Sequence, residues 1–512
     1  MRRRFFFLAL LFLPVLAAYW PVLGAGYTNW DDPDYTYNNP AVVRPTAANL
    51  LKAVTSPRLG HYHPLTDLSL AAEAAVFGGR AGAHHAGNLL LHLANAALAF
   101  LLLSFLLGSD WLALGGALLW ALHPANVESA AWLAERKNLL YAFFYLLALL
   151  AYLRGREGRG RTTLVAGLFL LALLAKASAV TLPLALLALD WRAGRPLDRR
   201  NLLEKAGLLA LAGLFTVIAA AAQADRGSPL AAPWGKLLSF YLLHAAWPLR
   251  LSALYPYKET LAELSSKHLL YVLPALAFAG ALALAVKRGA RQVSFGLLFF
   301  LVNILPFAAV IPIGPALAAD RYLYLPLLGL IIAGLAAAAA LLPAGRRWRA
   351  AAAAALCLLL AAEASVTVPL IKTWRSSETL WTAVLERFPA SETANLNLAQ
   401  ALLERGAPAA AAPRLLAVLR MNPDNADALY NLGTALARAG RPAEALPLLR
   451  RAAFLKPSNH MAWTNLGLTF LALKQPGEAR KTFLTAAAAD PAYVPAQAGL
   501  AEADRLLRHT SR

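Results

Sequence analysis

Residues Pro423–Pro457, PDNADALYNLGTALARAGRPAEALPLLRRAAFLKP, decide how the C-terminal quarter of this chain is read. The stretch opens and closes on proline, and Pro389, Pro423, Pro457 and Pro491 recur every 34 residues. A fixed period of this size is the mark of stacked helical hairpins. Other positions keep the same phase: Leu398, Leu432 and Leu466; Ala399, Gly433 and Gly467; Ala411, Ala445 and Ala479; Leu415, Leu449 and Phe483. Small residues let the two helices of a hairpin approach, and the larger ones fill the space between hairpins. The reading predicts an α-solenoid over 389–512, preceded by a connecting helix or half repeat over 371–388.

Upstream the composition changes character. Of the 512 residues 59% are hydrophobic and 15% charged, too apolar for a water-soluble chain of this length. The expectation is an all-α chain whose residues 1–370 form a polytopic membrane domain of about 11 transmembrane helices. The first apolar run, Phe5–Leu23, follows Arg2, Arg3 and Arg4 and reads as a signal anchor. The net charge of +20 does not imply nucleic-acid binding, because the basic residues gather in short loops between apolar runs. Arg154–Arg161, Arg192–Arg200, Lys287–Arg291 and Arg346–Arg349 are such loops, and placing them in the cytoplasm orients the chain. That arrangement requires Trp234–Leu249 to be re-entrant or interfacial. It puts the loop 24–86, the stretches His123–Lys137 and Pro312–Arg321, and the C-terminal repeat outside the cytoplasm. A bacterial inner membrane is the expected location. With one cysteine, Cys357, no intramolecular disulfide can form.

The exit loop after the first span reads Tyr27-Thr28-Asn29-Trp30-Asp31-Asp32-Pro33-Asp34-Tyr35. Adjacent carboxylates at a membrane exit serve neither packing nor topology, so Asp31 and Asp32 are candidate catalytic groups. A carboxylate beside an acceptor hydroxyl can take its proton while a phosphate leaves. Its neighbour can raise its pKa, orient the acceptor, or leave room for a divalent cation, so the metal question stays open. A leaving phosphate requires positive charge, for which Arg136, Lys137 and above all Arg321 stand at the outer ends of spans, with Tyr322 and Tyr324 beside it. Snorkelling to headgroups is the alternative use of these cations. His63, His92, His123 and Glu128 are candidate supports of the site.

The order Asn29-Trp30-Asp31-Asp32, His63-Pro64-Leu65, His85-Ala86-Gly87-Asn88, Leu122-His123-Pro124 and Asp320-Arg321-Tyr322-Leu323-Tyr324, ending in the 34-residue repeat, resembles the transmembrane, tetratricopeptide-repeat-containing O-mannosyltransferases and their bacterial relatives. That resemblance implies a GT-C-like membrane domain followed by a tetratricopeptide-repeat solenoid. It implies a polyprenyl-phosphate-linked sugar as donor, Asp31 as base, and a protein Ser/Thr hydroxyl as acceptor. Repeats of this kind usually bind peptides or proteins. Asn397, Asn431 and Asn465, in phase, would line the concave face and grip an acceptor backbone through amides that both donate and accept. Two other readings stay open: a transferase of the same fold acting on a lipid or envelope polymer, and a non-enzymatic repeat scaffold anchored in the membrane.

Overall fold

The structure, a computed structural model, describes residues 2–155, 158–223, 234–307, 316–343 and 345–510. It divides into two compact units, Met1–Leu380 and Trp381–Arg512. The start of the expected loop Pro312–Arg321, residues 312–315, lies outside the described residues.

The first unit is built of apolar helices. Among the described residues, five are long and apolar enough to cross a membrane: Phe5–Gly24, Ala81–Leu107, Leu133–Arg154, Arg199–Ala222 and Arg346–Thr373. Five more apolar helices run 10–17 residues, among them Asp110–Leu122 and Leu327–Leu341. The first helix buries Phe7, Leu11, Val15, Ala18 and Tyr19, a spacing of three or four that lays one stripe against its neighbours. Two helices cross backbone to backbone at Gly296 and Gly329. A Cβ on Gly296 would meet the Gly329 carbonyl oxygen at 2.5 Å, so neither position admits a side chain. The helix Trp234–Ala246 has 13 residues, about 20 Å of rise, short of the ~30 Å hydrocarbon core of a bilayer.

Between the first two long helices the exit loop folds into short helices, Asp32–Tyr35, Pro40–Val43, Ala47–Thr55 and Pro64–Phe77. One feature departs from an all-helical reading. Tyr255–Pro256 pairs antiparallel with Ala316–Ala318, two short strands just before Asp320. The Tyr255 hydroxyl donates to Asp320 Oδ1 at 2.8 Å and the Ser252 N–H to Oδ2 at 3.3 Å, which fixes the turn that carries Arg321.

The second unit keeps the period of the sequence. Its first helices begin at Glu392, Ala426, His460 and Val494, and its second helices at Pro408, Pro442 and Pro476. Ser391, Asn425 and Asn459 cap three of the first helices, their side-chain oxygens accepting from the N–H groups of Ala394, Ala428 and Ala462. Proline opens each second helix, where its missing N–H costs nothing. Gly433 lies where a Cβ would meet Leu449 Cγ at 2.7 Å, so the absent side chain sets the closeness of that hairpin. Leu449, Phe483 and Leu466 share one core with Ala445, Ala479 and Phe470.

Candidate active site

The two aspartates of the exit loop occupy different environments. Asp32 is buried and both of its oxygens are occupied. Oδ2 accepts the Thr28 N–H and hydroxyl, each at 2.8 Å, and Oδ1 accepts the Ala134 N–H at 3.0 Å. It ties the loop to the turn Leu133–Glu135. Burial lifts its carboxyl to about 6 against the pull of these hydrogen bonds. Asp31 is half-buried, and its carboxylate meets no hydrogen-bond donor among the described residues; it faces a cavity of about 400 Å³. Burial raises its carboxyl above the ordinary aspartate range, and Lys137 and Arg321 pull against that rise.

Three cations share this cavity. Lys137 Nζ stands 3.0 Å from Glu135 Oε1, Lys176 Nζ 3.5 Å from Oε2, and Arg321 Nε 3.4 Å from Oε1. One buried carboxylate therefore gathers all three. Glu128 takes Arg321 from the other side: its Oε1 pairs with Nη1 and its Oε2 accepts the Arg321 backbone N–H at 2.8 Å. The guanidinium also lies over the rings of Trp132 and Tyr322, at 5.3 and 5.0 Å. Burial lowers the Lys176 ammonium to about 8, opposed by Glu135. With Asp31, Glu128 and Glu135 against three cations, the charges are balanced and each cation is held in place.

The cavity also takes Tyr322, stacked on Phe307 at 4.2 Å, and His63. His63 Nε2 pairs with the Tyr35 hydroxyl at 2.7 Å, its Nδ1 has no partner among the described residues, and burial holds its ring well below the usual imidazole range. Val180, Leu184, Ala219, Val302 and Leu305 give the cavity an apolar wall, interrupted by Ser178, Thr181 and Thr216.

Other candidates lie elsewhere. Arg136 turns away from the cavity, its guanidinium on Glu73 at 2.9 Å, on the His84 carbonyl at 2.8 Å and on Asn88. Tyr324 is buried between helices, where its hydroxyl meets His92 Nδ1 at 2.8 Å and its carbonyl accepts from Trp120. His92 thus serves helix packing, with its other nitrogen on the Ala121 carbonyl. His123 caps the turn Pro124–Asn126 through Nδ1 and donates from Nε2 to the Ala245 carbonyl. In the repeat unit Asn397, Asn431 and Asn465 hold the same place on successive first helices, each half-buried. Asn465 donates to Thr434 at 2.9 Å and to Tyr430 at 3.3 Å, and the Asn431 amide has no partner among the described residues.

Sequence reasoning did not single out Glu135 or Lys176 as site residues. Glu135 adjoins Arg136 and Lys137, and Lys176 is a lone lysine between two apolar runs; only the fold brings them to one point. No group of three or more metal-ligating side chains occurs among the described residues.

The tetratricopeptide repeat family model matches residues 374–413, 396–460 and 439–494. Protein O-mannosyl-transferase Tmtc1 of Drosophila melanogaster is 33% identical over 172 residues, 32% of this chain and 20% of that protein. The chain is similar to the tetratricopeptide-repeat O-mannosyltransferases. The match spans about a fifth of that relative's length. Among solved structures, the MamA protein aligns at 20% identity over 26% of this chain and 78% of its own, with a TM-score of 0.24. The first tetratricopeptide-repeat domain of human RPAP3 aligns at 20% identity over 24% and 97%, with a TM-score of 0.23.

Proposed function

We propose that this chain is a membrane glycosyltransferase that moves a sugar, mannose by analogy with the relative, from a polyprenyl-phosphate carrier to a protein Ser/Thr hydroxyl outside the cytoplasm. The observation that carries the reading is the Asp31 carboxylate, free of hydrogen bonds and facing a cavity in which Lys137, Lys176 and Arg321 converge. The acceptor oxygen attacks the anomeric carbon, whose bond to the phosphate oxygen breaks as the carrier phosphate leaves. Asp31 takes the acceptor proton. The three cations and the Tyr322 hydroxyl stabilise the charge that gathers on the departing phosphate. The apolar wall suits the first isoprene units of the carrier. Asp32 does not touch substrate in this scheme; it positions Asp31. The repeat unit recruits the acceptor chain, with Asn431 as the amide most open to a peptide.

The test is Asp31→Asn in the full-length protein. Transfer from lipid-linked sugar, read by glycopeptide mass spectrometry of envelope proteins, should fall by roughly 10²–10⁴-fold while insertion and yield stay unchanged. Undiminished glycosylation would remove Asp31 from the mechanism. If glycans vanish from lipid or polymer fractions instead, the acceptor is not a protein.

A further inference from the structure

Three helices of the first unit carry cavities at both ends. Arg136–Arg154, Arg159–Ala175 and Arg199–Gln223 reach the Asp31 cavity through Lys137, through Lys176 just past the second helix, and through Thr216 with Ala219. Their opposite ends enclose a second cavity of about 510 Å³, entered by Tyr152 from the first helix, Arg161 from the second and Lys205 from the third. From Lys137 to Tyr152 the first helix rises about 22 Å, most of the thickness of a hydrocarbon core. The two cavities therefore lie at opposite ends of the same three helices, two of which are long enough to cross a membrane.

The second cavity has a fixed floor. Asp190 is buried and receives the Lys205 ammonium, Arg195 Nη1 at 3.2 Å and the Tyr152 hydroxyl at 2.7 Å. Lys205 lines the cavity from a side chain only 2% exposed. Above this floor the Arg161 guanidinium lies on the Tyr152 ring at 4.6 Å and forms no ion pair among the described residues. Arg200 reaches Glu204 only at 4.0 Å, and Glu204 is already engaged by Arg195 at 3.0 Å. Among the described residues, four cations, Arg161, Arg195, Arg200 and Lys205, thus meet two carboxylates, Asp190 and Glu204. The helix beginning at Arg159 has no side-chain cap, so its first N–H groups add positive character to the same mouth. Next to the mouth the helices expose Leu164 and Leu203, an apolar flank fit for acyl chains. A cationic mouth beside an apolar flank selects an amphiphile over a small free anion.

We propose that this second cavity binds the phosphate headgroup of an anionic phospholipid in the leaflet opposite the Asp31 cavity. Arg161 and Arg200 take the phosphoryl oxygens, and Tyr152 with Lys205 forms the floor. The site is independent of the transfer chemistry.

The test uses the full-length protein in phosphatidylcholine nanodiscs doped with phosphatidylglycerol, with retained lipid counted by native mass spectrometry. The unaltered protein should retain phosphatidylglycerol preferentially. Arg161→Gln with Arg200→Gln should weaken that preference by roughly fivefold for each cation removed, whereas Arg347→Gln with Arg349→Gln, outside the cavity, should leave it intact. Equal loss in both pairs, or no loss in the cavity pair, overturns the proposal. A second measurement stands whether or not the variants fold: melting of unaltered protein with short-chain phosphatidylglycerol, short-chain phosphatidylcholine or inorganic phosphate. A shift with phosphatidylglycerol alone supports the site. A full shift with inorganic phosphate assigns the cavity to a free anion, and no difference between the two lipids refutes it.

Discussion

Asp31 and Asp32 are chain neighbours with separate tasks, and hydrogen bonding decides which does which. Asp32 accepts three hydrogen bonds from Thr28 and Ala134, whereas the Asp31 carboxylate is left toward the cavity. The same division separates Arg136 from Lys137. Successive residues on a helix point about 100° apart, so when Lys137 meets Glu135 in the cavity, Arg136 is carried round to Glu73. Charge type and position at a span end were legible in the sequence; which of two adjacent cations faces the site was not, because that depends on helix rotation. The cavity's titrations give a signed prediction for the transfer rate against pH. Under the proposed function Asp31, raised by burial, must be deprotonated to act, so the rate falls on the acid side above the ordinary carboxylate range. Lys176 must be charged to hold phosphate, so the rate falls again on the alkaline side as the pH passes about 8. The expected profile is a bell, and its limbs belong to the coupled cluster rather than to single groups. Lys176→Arg keeps its charge at every accessible pH and should abolish the alkaline limb; a limb that persists would show that another group governs it.

At the scale of the element, the period of the repeat unit was legible, since first helices begin at Glu392, Ala426 and His460 at the interval that the prolines announced, although the compact unit begins at Trp381 rather than at 389. Repetition gives several independent observations of one hairpin, and a lone membrane helix gives one. The apolar stretches of the first unit were legible as helices, but their lengths vary, with five long enough to span and others shorter. The two-stranded ladder at Tyr255–Pro256 and Ala316–Ala318 left no sequence signal, because strands of two or three residues carry no alternation to detect. Close packing at Gly433 yields a prediction for the hairpin. Gly433→Leu forces a side chain into Leu449 and should destabilise the repeat unit by about 1–3 kcal/mol, read as a lower denaturation midpoint. Gly440, in a left-handed turn at a φ of 75° with no atom near its missing Cβ, is the contrast: a substitution there strains the backbone without touching the core.

At the scale of the whole molecule, the proposed division of labour separates chemistry in the first unit from acceptor capture in the second. Deleting residues 389–512 should leave transfer to a short synthetic peptide at saturating concentration, with an apparent KM for a protein acceptor raised roughly 100-fold, measured by initial rates. An unchanged KM would assign the repeats to another partner. The cavity itself is assembled from distant parts of the chain. Trp30 stacks on Trp132 at 4.7 Å, Trp132 stacks on Trp374 at 5.4 Å, and the Arg321 guanidinium lies over the same Trp132 ring. Synthesis delivers these residues in order from the N-terminus, and the last aromatic of the stack arrives only after the helix Arg346–Thr373. A chain cut short before Arg321 holds Asp31 but lacks the third of the three cations around Glu135, and one cut short before Trp374 lacks the ring that backs Trp132. Under the proposed function, fragments that end before Arg321 would be inert, and competence would appear only late in biosynthesis.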